Sequence, residues 1–201
     1  MGIGTFLQDV LNTARTNRVH IRLSPNDHIK SDGAKCGGYF TEYPYPLLTC
    51  AMGRDQERWL SILVHESCHM DQWIEQTPSW TNSILKDGSD LTEPFWPWLK
   101  GEEYTTKEIR VAIDLLLKVE LDCEKRSVAK IKRYGLDLDI TTYIQKANTY
   151  VFLYHYMRDT RKWYPTVYDV DLIWTKAPKV FVHDYSKIPE KLHTAFRKHL
   201  K

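Results

Sequence analysis

Residues 106 to 134 read as one unbroken amphipathic helix whose apolar stripe (Ile109, Ile113, Leu116, Leu117, Cys123, Val128, Ile131) is interrupted by two acids, Glu120 and Glu124. At 3.6 residues per turn these two lie one turn apart on the same face. Asp122 points about 200° away from Glu120, toward Lys118 and Lys125, and reads as solvated. A buried carboxylate is costly unless a cation or a donor faces it. The helix therefore belongs in a fold that brings positive charge to its inner side. A metal ion held by one glutamate, with the other supporting an imidazole ligand, relieves the cost.

The imidazoles are in "ILVHESCHMDQW", residues 62 to 73. His65 and His69 are four apart, so on a helix they stack on one face, with Glu66 on the flank. This is H-E-x-x-H: two ligands and a carboxylate placed to act on a water at the ion. Trp59, Ile62 and Trp73 align with the histidines and predict a core-facing stripe. Two core histidines bonded only to neighbours would leave the accompanying Glu66 unexplained. A catalytic zinc site takes three protein ligands and keeps one position open. A third ligand must then be found, and the two buried glutamates of the second helix are the candidates.

Around these helices the chain reads as α+β. Residues 4 to 16 form a short amphipathic helix. "RVHIRL" (18–23), "CGGYFTEY" (36–43) and "PLLTCAMG" (46–53) read as short strands of a small, mostly antiparallel sheet over 18–52. The turn-rich "SPNDHIKSDGAK" lies between the first two. The motif helix covers 55–76 and stops at Thr77-Pro78. Residues 77–104, rich in Pro and Trp, read as a long irregular loop of the kind that often covers a site. The second helix ends at Gly135. A third helix spans 140–163, and 176–201 reads as an extended tail with a terminal helix. The expectation is one domain over all 201 residues.

Composition narrows the function classes. A net charge of +2 spread along the chain makes no case for nucleic acid. The basic run at 125–135 suits a helix C-terminus. No stretch approaches the ~20 apolar residues of a membrane span, and the start lacks the pattern of a signal peptide. Cys36, Cys50, Cys68 and Cys123 include no C-x-x-C pair and read as free thiols of a reducing compartment, the last two as small core residues. A cytoplasmic location follows as an expectation, in the host cell if the chain is viral.

H-E-x-x-H on one helix followed by E-x-x-x-[DE] on a second resembles the gluzincin metallopeptidases, over about residues 18 to 135. The order of strands, motif helix and ligand helix is similar to their smallest members, phage-associated ones included. The resemblance implies Zn2+ bound by His65, His69 and Glu120, with Glu66 as general base and Glu124 behind a zinc-bound histidine. Glu124 stands where Asp is usual, so Glu120 and Glu124 could exchange roles. The implied activity is hydrolysis of a peptide or protein substrate, which would lie along "GGYF" (37–40) or "TCAM" (49–52) as an added strand. Tyr150, Tyr154, His155 and Tyr156 are donors on the third helix, and His155 is the first candidate for stabilising the oxyanion.

Other readings fit less well. A ferritin-like di-iron site needs a second Glu-x-x-His, which the chain lacks. Peptide deformylases take a Cys ligand from an upstream motif, and the surroundings of Cys36 and Cys50 do not match it. A non-catalytic, metal-stabilised binding or virion-associated protein would keep the ligands but has no use for Glu66.

Overall fold

The computed structural model describes residues 2–31, 34–164 and 167–200. It is α+β, a small sheet near the N-terminus followed by a helical half. Its contacts group into two compact units, a finer division than the single domain read from the sequence. The first is Met1–Thr77 with Cys123–Ile140, the second Pro78–Asp122 with Thr141–Lys201. Among the described residues no helix is long and apolar enough to cross a membrane.

In the first unit, α1 (Ile3–Thr16) buries Phe6, Val10 and Ala14. Five strands follow: β1 (His20–Ser24), β2 (Ile29–Ser31), β3 (Ala34–Cys36), β4 (Gly38–Thr41) and β5 (Leu47–Ala51). The sheet order is β1-β5-β4, with β1 parallel and β4 antiparallel to β5. The sheet is thus mixed, and β5 is its centre. A near-continuous buried run, Leu48 to Ala51, suits that position. "TCAM" is therefore no edge, because β5 already has a partner on each side; "GGYF" falls on β4, which is an edge. β2 and β3 form a separate antiparallel pair inside the stretch read as turns.

Helix α2 (Gln56–Glu75) starts where Asp55 accepts from Arg58 N at 2.8 Å and ends at Gln76, whose φ of 49° is left-handed. Its fully buried side carries Leu60, Leu63, Val64, Ser67 and Met70. The stripe of Trp59, Ile62, His65, His69 and Trp73 is half-buried, not the core side expected. Two of its members meet β4: Trp73 and Phe40 have ring centroids 5.8 Å apart, and Ile62 lies against Gly38.

Helix α5 (Thr106–Tyr134) ends before Gly135, whose φ is 59°. Its second half belongs to the first unit. There Lys130 Nζ donates to Ser67 Oγ (2.9 Å) and Ser67 O (3.1 Å) and pairs with Asp71 Oδ2 (2.7 Å). Arg126 pairs with Glu75 at 2.7 Å. The basic run is thus partly consumed in holding α5 to α2.

The second unit contains the rest of α5 with α3 (Pro78–Thr81), α4 (Phe95–Leu99), α6 (Ile140–Thr160), a 3₁₀ turn (Val167–Asp169), α7 (Asp171–Trp174) and α8 (Glu190–His199). Residues 77–104 thus carry two short helices where an irregular loop was expected. The core is aromatic: Phe95, Phe152, Tyr154 and Phe196 are almost wholly buried. α6 stops three residues before Trp163, at a left-handed Arg161 whose guanidinium donates to the Trp98 and Glu102 carbonyls. Asp122 is half-buried and accepts from Ser79 Oγ at 3.0 Å, so it is not the solvated residue expected.

The approach of β4 to α2 requires glycine. A Cβ at Gly38 would lie 2.6 Å from Ile62 Cγ2, 2.8 Å from the Thr49 carbonyl oxygen and 3.1 Å from Glu66 Cγ. The Thr49 oxygen is backbone of the paired strand and cannot swing away. Gly38→Ala is expected to cost about 1–3 kcal/mol, read as a lower urea midpoint; an unchanged midpoint would show that the strands yield freely.

Candidate metal centre

Three side chains of the first unit, His65, His69 and Cys123, form a group that could hold a metal ion, their ligand atoms all within 4.8 Å of one another. Two come from α2 and one from α5.

The imidazoles converge through their outer nitrogens. His65 Nε2 and His69 Nε2 are 3.1 Å apart, with the rings at 85°. Two nitrogens on one tetrahedral zinc, each ~2.05 Å from it, would be roughly 3.3 Å apart. The inner nitrogens face polar atoms of the protein. His69 Nδ1 is 2.8 Å from Gln72 Oε1, and His65 Nδ1 is 3.3 Å from Glu124 Oε1. This is the usual outer support of a metal-bound histidine, an acceptor on the second nitrogen. Glu124 is almost fully buried, and its Oε2 has no hydrogen-bond partner among the described residues. A buried carboxylate with an idle oxygen is tolerable beside a cation and costly without one. The donor set and this oxygen both fit a metal ion.

Cys123 adjoins the same ring. Its Sγ donates to the His65 carbonyl at 3.3 Å and lies 3.6 Å from His65 Nδ1. Cys123 is fully buried, as expected of a small core residue, and stands at this ring as well; Gln72 had no expectation attached to it. Spacing offered a signal for both, since Gln72 is three residues beyond His69 and Cys123 is one before Glu124.

Glu66 is buried on α2, against the glycine surface of β4. Burial pushes the Cys36 thiol up to about 11 and the Cys50 thiol up to about 12, and the Glu66 carboxylate adds to both. Both sulfurs are therefore protonated at neutral pH and are poor nucleophiles. All four cysteines are free thiols.

The remaining candidates lie in the second unit. Glu120 is buried, and its Oε1 accepts from Tyr154 OH at 3.2 Å, which in turn lies 3.2 Å from Tyr150 OH. His155 is buried too, with Nε2 2.7 Å from the Tyr185 carbonyl. That nitrogen faces a backbone oxygen, while His155 keeps its Nδ1 buried with no hydrogen-bond partner among the described residues. His155 holds the C-terminal segment, as Asn148 does through the Pro178 and Val180 carbonyls.

Comparison with protein-family models, with curated proteins and with solved structures gives no match.

The charge of Glu66 near Cys36 has a readable consequence. In Glu66→Gln the Cys36 thiol should fall in pKa, raising its thiolate fraction and its rate of alkylation by iodoacetamide at fixed pH. Mass spectrometry of the half-buried Cys36 reports this; an equal rate in both proteins would mean that the carboxylate does not act on the thiol.

Proposed function

We propose that this chain is a zinc-dependent peptidase or peptidase-like hydrolase. The observation that carries the reading is the convergence of His65 Nε2 and His69 Nε2 at 3.1 Å, with an oxygen of Glu124 or Gln72 at each inner nitrogen. Imidazole donors suit zinc, and the gluzincin resemblance names the same two histidines. The bound ion supplies Lewis acidity, which polarises a carbonyl and acidifies water.

The chain's own groups do the rest. His65 and His69 hold the ion, and Glu124 and Gln72 keep the rings turned toward it. Glu66 takes the proton from the attacking water as its oxygen bonds to the carbonyl carbon. It then gives that proton to the departing amide nitrogen, so the C–N bond breaks to a neutral amine. β4 is an edge strand beside α2, and an extended peptide would add to it through backbone hydrogen bonds.

α5 supplies the third donor. The resemblance gives that place to Glu120, one turn before Glu124, whereas the group described above gives it to Cys123. Metal analysis of purified variants separates the two. About one zinc per chain is expected, lost in His65→Ala and retained in Glu66→Gln. Loss in Glu120→Gln with retention in Cys123→Ser follows the resemblance; the reverse pattern gives the place to the thiolate. A chain that purifies without metal, and binds none when zinc is added, refutes the reading.

Hydrolysis is tested separately. Glu66→Gln should keep the zinc and the fold but lose cleavage of a quenched peptide library by a factor of roughly 100 or more. Equal turnover in wild type and variant removes Glu66 as the base. A zinc-loaded wild type that cleaves nothing leaves a metal-stabilised binding protein.

A further inference from the structure

Gln72 is fully buried and lies three residues after His69, on the same side of α2. A primary amide is expensive to bury unless its polar atoms are bonded. Its Oε1 stands 2.8 Å from His69 Nδ1. An amide oxygen only accepts, so the ring carries its proton on Nδ1 and leaves a lone pair on Nε2. At His65 the inner nitrogen faces Glu124 Oε1 at 3.3 Å, and an ionised carboxylate likewise only accepts. Both rings then direct lone pairs at one another across 3.1 Å. Such a pair repels unless a cation lies between.

We propose that Gln72 is the positioning residue that fixes the tautomer of His69, and so keeps the two imidazoles open to a metal ion. This rests on reading the pair as a metal site. Without the Gln72 oxygen the His69 proton can move to Nε2. The ring would then donate to His65 Nε2 over the same 3.1 Å. That hydrogen bond satisfies both rings and occupies the place of the ion.

The two supports are not equivalent. Glu124 presents an oxygen whichever way its carboxylate turns. Gln72 presents one only in one orientation of its amide, because the flipped group offers N–H and favours the closed tautomer. Gln72→Glu presents an oxygen in either orientation and holds His69 in the open form.

The test uses the full chain. Nitrogen-resolved NMR of the metal-free protein, above the histidine titration range, reads which His69 nitrogen carries the proton. Wild type and Gln72→Glu should show it on Nδ1, and Gln72→Leu and Gln72→Met should shift it to Nε2. Competition with a chromophoric chelator then reads zinc affinity. The Leu and Met variants should bind about 10–100-fold more weakly, and Gln72→Glu should bind at least as tightly as wild type. Leu and Met variants that keep the wild-type tautomer and affinity overturn the proposal, as does a wild type with the proton on Nε2. Should either apolar variant fail to fold, the other decides. A wild type that binds no zinc refutes the metal reading instead, while the tautomer, measured without metal, still decides the role of Gln72.

Discussion

Lys130 reaches from α5 to α2 and finds three oxygens there, two on Ser67 and one on Asp71. The ammonium is largely withdrawn from water, so these contacts are screened less than surface pairs and each depends on the others. They fix how far one helix can slide along the other. A slip of one residue on α5 would turn Cys123 and Glu124 by about 100° and carry them away from His65. The candidate site thus depends on a cation that touches none of its donor atoms. Arg126, paired with Glu75, is more exposed and adds less.

Charge inside the first unit is arranged with some economy. Glu66 and Glu124 are both buried, yet they serve opposite ends of the chemistry proposed. Glu124 faces the inner nitrogen of a histidine, where negative charge strengthens the ring as a ligand. Glu66 lies beside the glycine surface of β4, where burial first and then its charge keep the Cys36 and Cys50 thiols protonated. Nucleophilic attack by those cysteines is thereby disfavoured. The two candidate ligands are thus backed differently, His65 by an acid and His69 by an amide.

The long helices were legible because their signals are local. Asp55 caps α2, a left-handed residue closes α2 and α5 alike, and the 3.6-residue period runs through both. Burial of Glu120 and Glu124 was legible for the same reason, since a stripe shows its own interruptions. What pairs with what was not. The parallel match of β1 to β5 joins segments with three other strands between them in sequence, and alternation within a strand says nothing of its partner. The side on which α2 is buried was misjudged because Trp and His suit a half-covered rim as well as a core. Cys123 is the buried small residue expected, but neither its thiol nor the neutral amide of Gln72 carries a charge that would announce a place beside the histidines. The contact of His155 Nε2 with the Tyr185 carbonyl was not legible either, since no local pattern announces a backbone partner thirty residues away.

The first unit is interrupted in sequence. The chain leaves it at Thr77 and returns only at Cys123, having supplied the whole of one stretch of the second unit between. During synthesis, α2 with its two histidines emerges from the ribosome well before the half of α5 that carries Glu124 and Lys130. Until that half arrives, α2 packs on β4 and β5 but lacks α5, so neither Glu124 nor Cys123 stands at the inner nitrogen of His65 and Lys130 does not reach Ser67. The site is therefore a late product of the chain's own assembly. A nascent fragment ending before residue 123 could display the motif without being able to shape it.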